Sequence, residues 1–262
     1  MQVLGPQYYY LLLLIFLKKT TITYDDISFQ IYLRRDERAV DLAQGKCYEP
    51  AVTRLIWDLL ENESVFWDIG GHTGYYTLLA ARKIRNSGNI HVFEPSPINV
   101  ILRFNLNSFG VNAILNAFHM DSLTDLKECR ISGDYYAEKS GTFPDVIKID
   151  VEGWEIQALK GMTKTICRRP LLFIEVHPIH ISSIFHANHE FLFDCLSDVG
   201  YSIAQLTDFR NLNWGLRSIE DSSDLPMSPP TCNYMLFCYS DDHSEKLAHY
   251  KNRWRQTRAH NS

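Results

Sequence analysis

Residues 65–75 read Val-Phe-Trp-Asp-Ile-Gly-Gly-His-Thr-Gly-Tyr, an apolar run that leads into a glycine-rich turn and then a helical pattern. The apolar run predicts a buried strand. Gly70 and Gly71 permit a sharp turn in which the backbone approaches a ligand with no Cβ in between. A strand, a glycine turn and a helix in this order are typical of nucleotide-binding α/β domains, although a tight turn without a ligand is the alternative for this motif alone.

Strand and helix patterns alternate on both sides of this stretch. The predicted strands cover residues 64–69, 89–93, 113–118, 145–149, 171–176, 201–206 and 234–239. Helical spacing of apolar residues covers 49–61, 75–84, 97–109, 152–166 and 189–199. Such alternation predicts a mostly parallel sheet with helices on both faces. A polar connection is predicted up to residue 142, and the long loop 207–231 before the last strand permits an antiparallel edge.

One α/β domain over residues 49–242 accounts for these elements. Residues 1–48 contain two extended runs on either side of Asp25 and Asp26, and this pattern predicts a β-hairpin cap or extension. Residues 243–262 are polar and basic, and we predict a loose terminal helix there.

An unbroken apolar run, YYYLLLLIFL, covers residues 8–17 and ends before Lys18. A helix of this length measures about 15 Å, half of the roughly 30 Å of hydrocarbon in a bilayer. No basic residue precedes the run, so it does not fit a secretory signal. We predict a buried strand or helix and no transmembrane span, with contact to a membrane surface as the alternative.

Charge and cysteine content bear on partners and location. The net charge of −5, from 26 basic and 31 acidic side chains, gives no electrostatic reason to expect a nucleic-acid partner. The six cysteines form no C-x-x-C pair. They are typical of packed thiols in a reducing compartment, and we expect a cytoplasmic location.

The glycine spacing and the preceding carboxylate indicate which nucleotide the turn binds. The spacing is G-G-x-x-G, whereas dinucleotide folds use G-x-G-x-x-G. Asp68 lies two residues before the first glycine, where its charge repels a pyrophosphate but attracts the ammonium of a methionine moiety. This combination favours S-adenosylmethionine over NAD.

A second acidic residue follows the next predicted strand. Glu94, in the run His91 to Pro95, lies 20 residues beyond Gly74. A carboxylate at this position of a nucleotide-binding fold accepts hydrogen bonds from ribose hydroxyls, and capping of the following helix is the alternative. Both motifs lie at carboxyl ends of strands, where open α/β sheets bind their ligands.

A third motif, Asp-Val-Ile-Lys-Ile-Asp-Val-Glu-Gly-Trp-Glu, covers residues 145–155. It delivers Asp150 and Glu152 to the same rim of the sheet, and side chains two apart on an extended segment point the same way. The two carboxylates can therefore act together on a substrate hydroxyl. Alternatively, Glu152 and Glu155 only favour the start of a helix through its dipole.

These three segments, in this order, resemble the FkbM family of methyltransferases. Residues 68–75 are similar to the family's D-[VI]-G-A-N-x-G-Y, and residues 93–97 to its F-E-P-x-P. Residues 147–153 match its most characteristic run, I-K-I-D-V-E-G. The resemblance extends over about residues 49–206.

The resemblance implies a Rossmann-like class I methyltransferase fold, with seven strands in the order 3-2-1-4-5-7-6 and the seventh antiparallel. It also implies transfer of the S-adenosylmethionine methyl group, usually to a hydroxyl oxygen of a small molecule, sugar or glycan. Three residues are expected to face the acceptor: Asp150, Glu152 and His177. The expected cofactor-binding residues are Asp68, Gly70, Gly71, His72, Gly74, Tyr75, Glu94, Pro95 and Asp121.

Two departures from the family pattern keep alternatives open. Gly71-His72 replaces the usual Ala-Asn, and residues 116–123 run two family segments together, which shortens the 112–143 region around the expected adenine pocket. A non-catalytic nucleotide-binding descendant of the fold is therefore one alternative. An NAD-dependent oxidoreductase or epimerase is another, although Asp68 and the G-G-x-x-G spacing disfavour it.

Four histidines, at positions 177, 180, 186 and 189, lie within thirteen residues. Their spacing matches no closed zinc pattern. We therefore predict no metal site here, and expect only His177 to line the active site.

Overall fold

The computed structural model describes residues 16–34, 45–188, 190–226, 233–250 and 254. Its strands are β1 (Leu17–Tyr24), β2 (Ile27–Arg34), β3 (Phe66–Ile69), β4 (Ile90–Phe93), β5 (Ile114–Asn116), β6 (His119–Met120), β7 (Arg130–Ile131), β8 (Val146–Ile149), β9 (Leu171–Val176), β10 (Ser202–Thr207), β11 (Gly215–Ile219) and β12 (Tyr234–Tyr239). Its helices are α1 (Pro50–Leu59), α2 (Tyr75–Ala80), α3 (Asn99–Ser108), α4 (Gly133–Ser140), α5 (Glu155–Lys160), α6 (Thr163–Ile166), α7 (Pro178–Phe185) and α8 (Phe191–Ser197).

Eight strands form the main sheet, in the order β11-β10-β12-β9-β8-β3-β4-β5. The pairs from β9 to β5 are parallel, whereas β12 runs antiparallel to both β9 and β10. Without β11, this is the order 3-2-1-4-5-7-6 with an antiparallel seventh strand. The predicted Rossmann-like class I fold is confirmed.

The central strands are buried on both faces, which explains their continuous apolar runs. Successive side chains on a strand point to opposite faces. Phe66 and Val146 accordingly belong to one buried cluster, and Trp67 and Ile147 to another. The sheet therefore lies between two apolar cores, and only its strand ends are open to a ligand.

Strands β1 and β2 pair as an antiparallel hairpin around Asp25, at the place where the sequence predicts one. Asn105 on α3 joins this hairpin to the main domain. Its Oδ1 accepts a hydrogen bond from Tyr32 N, and its Nδ2 donates to Tyr32 O and Thr73 O. The hairpin thus packs beside the glycine turn, and the division of the chain at residue 48 stays a prediction.

Local elements differ from the prediction in three places. The long loop expected at 207–231 contains β11, whose half-exposed sequence at the sheet edge gives little strand signal. The polar connection before residue 142 contains the β6–β7 pair and α4. The helix expected over 152–166 is interrupted at Gly161, where a Cβ would overlap the backbone oxygen of Asp121.

Some predicted features lie outside the described residues. They include His189, most of the apolar run at 8–17 and all but Trp254 of the chain after residue 250. Within the described ranges, no helix has the length and apolar character needed to cross a membrane.

His91 on β4 should make stability depend on pH. Its side chain is fully buried, its Nδ1 lies 2.7 Å from the Tyr136 hydroxyl, and burial lowers its pKa to about 4. The unfolded chain, with a histidine pKa of about 6.5, takes up a proton as the pH falls from 7 to 5, but the folded chain does not. We expect the wild type to lose about 1–2 kcal/mol of unfolding free energy more than His91→Gln over this range. Urea denaturation of both proteins at the two pH values measures this difference, and equal losses would show that His91 is charged in the folded state.

Candidate functional site

A cleft of about 1020 Å³ opens at the carboxyl ends of β3, β4 and β8. The predicted site residues that line it are Gly70, Gly71, His72, Tyr75, Glu94, Pro95, Asp150 and Glu152. Asp68, Gly74, Asp121 and His177 are not among its lining residues. Eight of the twelve predicted site residues therefore line the cleft, and the other four do not.

The glycine turn packs against its own chain. Gly70 N and Gly71 N both donate hydrogen bonds to Phe93 O, at 2.9 and 3.2 Å. Gly70 has a φ of 88°, and a Cβ there would overlap the backbone oxygen of Asp150. A Cβ on Gly71 would clash with the Val92 side chain. Close packing between strand ends thus requires both glycines, independently of any ligand.

The Glu94 carboxylate is fixed at the rim of this turn. Its Oε2 accepts a hydrogen bond from His72 N and its Oε1 accepts one from Ser96 N, both at 2.9 Å. The residue is only 6% exposed, and that exposure is toward the cleft. Because each carboxylate oxygen has a second lone pair, Glu94 can still accept hydrogen bonds from a ligand. The bond to Ser96 N orders the turn before α3; it does not cap that helix, whose N-cap residue is Ile98.

Asp68 is buried and does not line the cleft. It is 1% exposed, and its Oδ2 accepts a 2.6 Å hydrogen bond from the Thr77 hydroxyl on α2. Burial raises the pKa of Asp68 to about 6. The expected contact with a methionine ammonium stays a prediction. The side chain holds α2 against the end of β3.

The neighbouring Gly74 and Tyr75 also have local structural roles. Gly74 begins α2 with a φ of 96°, and a Cβ there would lie 2.6 Å from the Leu102 side chain. Tyr75 lines the cleft, but its hydroxyl accepts a hydrogen bond from Tyr48 N at 3.2 Å and its ring packs on Phe29.

Asp121 is buried beside the cleft. Its Oδ1 accepts a hydrogen bond from Ser122 N, and its Oδ2 accepts one from Trp154 Nε1 at 3.3 Å. The residues that reach the cleft from this segment are Phe118, His119 and Met120. On the side of the cleft where Asp121 was expected to bind the adenine, the lining residues are therefore the three that precede it.

Several charged side chains that were not predicted as site residues lie near Asp150. Lys148 Nζ lies 2.9 Å from Asp150 Oδ2 and 4.8 Å from the centre of the Tyr76 ring. Arg210 Nη2 lies 2.6 Å from Glu175 Oε1 and its Nε lies 4.0 Å from Glu49 Oε1. Lys148 carries a signal in the sequence, since a lysine in a buried strand needs a partner. Glu49 and Arg210 come from distant segments and carry no such signal.

His177 lies beneath Asp150 and Glu152, just outside the cleft lining. It is 2% exposed, and its Nδ1 lies 2.6 Å from Oε1 of the fully buried Glu155. Its Nε2 lies 3.8 Å from Asp150 Oδ1 and 3.4 Å from Glu152 Oε2. His177 therefore contacts the two predicted acceptor-facing carboxylates from below.

These contacts shift the pKa values of His177, Asp150 and Glu175. Burial lowers the pKa of His177, but the hydrogen bond and charge of Glu155 outweigh this effect and raise it to about 9. Burial raises the pKa of Asp150, but Lys148 outweighs this effect and holds it below its usual value. Burial, together with Asp150 and Glu49, raises the pKa of Glu175 to about 8. Of these two carboxylates, Asp150 thus stays charged more readily than Glu175.

Comparison with known proteins relates this geometry to a family. Residues 124–203, which contain β8, β9 and the I-K-I-D-V-E-G run, match the sequence profile of the Methyltransferase FkbM domain. The resemblance to the FkbM family is confirmed. The FkbM-type segment carries Asp150, Glu152 and His177, whereas the glycine turn and Glu94 precede it.

The hexuronic acid methyltransferase AglP of Haloferax volcanii is 30% identical over an alignment of 154 positions, which covers 49% of this chain and 62% of that protein. The match thus covers less than two thirds of the relative. A Methylobacillus flagellatus FkbM methyltransferase structure is 17% identical, with a TM-score of 0.47, over 69% of this chain and 44% of that chain. A Streptococcus mutans putative methyltransferase, solved in complex with SAH, is 12% identical, with a TM-score of 0.44, over 78% of this chain and 98% of that chain.

Proposed function

We propose that the protein transfers the methyl group of S-adenosylmethionine to an oxygen atom of an acidic sugar. The observation that carries this proposal is the position of Glu94, held at the cleft rim by two backbone N–H groups. A carboxylate fixed at the end of the second parallel strand suits the two hydroxyls of a ribose. The match to the Methyltransferase FkbM domain supports the same reaction class.

The residues of the cleft fit this cofactor. Its volume of about 1020 Å³ is sufficient for a nucleoside with a methionine tail. We assign the ribose to Glu94, the adenine to the wall formed by residues 118–120, and the methionine end to the turn at Gly70 and Gly71. The Glu94, Asp150 and Glu152 carboxylates around the cleft favour a cationic sulfonium and disfavour the pyrophosphate of NAD.

The bound cofactor supplies an electrophilic methyl group on a positively charged sulfur. Asp150 accepts a hydrogen bond from the acceptor hydroxyl and orients its oxygen toward that methyl group. As the new oxygen–carbon bond forms and the sulfur–carbon bond breaks, the hydroxyl proton passes to Asp150 or Glu152. Lys148 keeps Asp150 charged and in place through its 2.9 Å contact.

Arg210 supports the choice of an acidic acceptor. Its guanidinium is half-exposed and lines the cleft, where it can pair with a sugar carboxylate. The relative that is named as a hexuronic acid methyltransferase supports this acceptor class. A cytoplasmic location and the lack of a nucleic-acid partner stay predictions from the sequence.

A methyl-transfer assay tests this function. The protein is incubated with S-adenosylmethionine that carries a tritiated methyl group and with matched oligosaccharides that end in glucuronate or glucose. We expect label in the glucuronate acceptor and loss of this preference in Arg210→Met. Transfer to the glucose acceptor alone would contradict the acidic-sugar assignment. Cofactor binding without transfer to any acceptor would instead favour the non-catalytic descendant.

A further inference from the structure

We propose that Asp150, Glu175 and His177 bind a divalent transition-metal ion directly beneath the cleft. Each of these residues offers one ligand atom, and the three atoms lie within 4.8 Å of one another. Glu175 and His177 are each 2% exposed, whereas Asp150 reaches the cleft. An ion held by all three would therefore be buried on one side and accessible to the cleft on the other.

The strand geometry brings these ligands together. Asp150 follows β8, and Glu175 belongs to the adjacent parallel strand β9. His177 comes two residues after Glu175, so both side chains leave the chain on the same side. The arrangement therefore follows from the register of two neighbouring strands and not from the spacing of histidines along the chain.

The orientation of His177 is the most specific feature of the proposed site. Glu155 holds Nδ1 at 2.6 Å, which turns Nε2 toward the carboxylates of Asp150, Glu152 and Glu175. The distances from Nε2 to these groups are 3.8, 3.4 and 3.8 Å, longer than the roughly 2.7–3.2 Å of an N–H···O hydrogen bond. A buried histidine with one nitrogen held by a carboxylate and the other facing several carboxylate oxygens beyond hydrogen-bond distance is an arrangement found around bound metals.

The distances suit an ion after a small contraction. Ligands about 2.1 Å from a metal lie roughly 3.0–3.4 Å from one another in octahedral or tetrahedral geometry. The observed 3.8 Å separations from Nε2 therefore need to shorten by several tenths of an ångström. Lys148 contacts Oδ2 of Asp150, which leaves Oδ1 for the ion.

The charge of the cluster supports a bound cation. Its carboxylates of limited exposure are those of Glu49, Asp150, Glu155 and Glu175, whereas its cations are Lys148, Arg210 and, without a metal, the His177 imidazolium, whose pKa is raised to about 9. Oε1 of Glu49 and Oε2 of Glu155 are buried without a hydrogen-bond partner in the described part of the chain. Buried carboxylates in excess of cations are unfavourable, and a divalent ion offsets that excess.

The ligand chemistry selects the metal. One imidazole nitrogen and two carboxylate oxygens fit Mn²⁺ or Zn²⁺ better than Mg²⁺ or Ca²⁺, which prefer oxygen ligands alone. Glu152, at 3.4 Å from Nε2, can add a fourth ligand from the exposed side. The remaining positions would face the cleft and accept water or an acceptor oxygen.

Calorimetric titration of the metal-free, full-length protein with Mn²⁺, Zn²⁺, Mg²⁺ and Ca²⁺ tests the site. No methyl donor or acceptor is present, so the outcome is independent of the proposed methyl transfer. We expect one Mn²⁺ or Zn²⁺ per chain and an affinity about 100-fold weaker in Glu175→Gln and His177→Gln. The exposed His186 is outside the cluster, so His186→Gln serves as the matched control and should bind as the wild type does.

Arg210→Met provides a second test that does not remove a ligand. Oε1 of Glu175 accepts hydrogen bonds from Arg210 Nη2 at 2.6 Å and from Asn233 Nδ2 at 3.2 Å. Replacement of Arg210 removes the charged and closer donor, so it should strengthen Mn²⁺ or Zn²⁺ binding several-fold. The rise in thermal midpoint on metal addition should also exceed that of the wild type, and this holds even if the ligand variants do not fold. Absence of binding in the wild type, or equal affinity in the wild type, Glu175→Gln and Arg210→Met, would overturn the proposal. Either result would show that Lys148, Arg210 and a protonated His177 balance the carboxylates.

Discussion

Glu94→Gln is expected to lower the affinity of the protein for S-adenosylhomocysteine by about 100-fold, or about 2.7 kcal/mol. Hydrogen bonds to a charged acceptor contribute about 1.5–3 kcal/mol each, and a ribose can form two with this carboxylate. Glutamine has only one side-chain oxygen, so in the variant one of the two backbone donors, His72 N or Ser96 N, faces the side-chain NH₂ group and loses its acceptor. Calorimetry of the wild type and the variant measures the loss.

Glu63→Gln is the matched control for this prediction, because Glu63 is exposed and its carboxylate lies 3.9 Å from Arg85, outside the cleft. It should bind S-adenosylhomocysteine as the wild type does. The thermal midpoint of Glu94→Gln shows whether the glycine turn is still folded. A folded Glu94→Gln protein with unchanged affinity for S-adenosylhomocysteine would contradict the proposed contact between Glu94 and the ribose.

Asp150→Asn should have the second large effect, a decrease of about 10²–10⁴-fold in the rate of methyl transfer. Asp150 lines the cleft, and Lys148 keeps it charged, so it is the group best placed to accept the hydroxyl hydrogen bond. An amide in its place keeps the size but cannot take up the proton. The affinity for S-adenosylhomocysteine should change little, since the cofactor depends on Glu94.

Two further variants separate the roles of the carboxylates. Glu152 is 72% exposed, so Glu152→Gln should lower the single-turnover rate by less than about 10-fold. Asp198, which is exposed and does not line the cleft, provides the control Asp198→Asn. A larger loss in Glu152→Gln than in Asp150→Asn would assign the proton transfer to Glu152.

The sheet is predictable from the sequence because β3, β4, β8 and β9 are buried on both faces and appear as continuous apolar runs. The positions of Glu94 and Asp150 follow from the same pattern, since each comes directly after a parallel strand. Strand β11 and helix α4 were not predicted, because they lie at the surface and lack a long apolar repeat.

Side-chain orientation in the site is less accessible to sequence reasoning. The residue type of Asp68 suggests a cofactor contact, but its carboxylate is buried outside the cleft lining and accepts a hydrogen bond from the Thr77 hydroxyl on α2. The association of Glu49, Glu175 and Arg210 depends on the packing of three distant segments. Local spacing along the chain contains no information about such a contact.

The central claim is that the cleft beside Glu94 binds S-adenosylmethionine. The most direct test is calorimetric titration of the wild-type protein with S-adenosylhomocysteine, with NAD as the comparison ligand. We expect one S-adenosylhomocysteine site per chain with micromolar affinity and no measurable binding of NAD. Binding of NAD in preference, or no binding of S-adenosylhomocysteine, would contradict it.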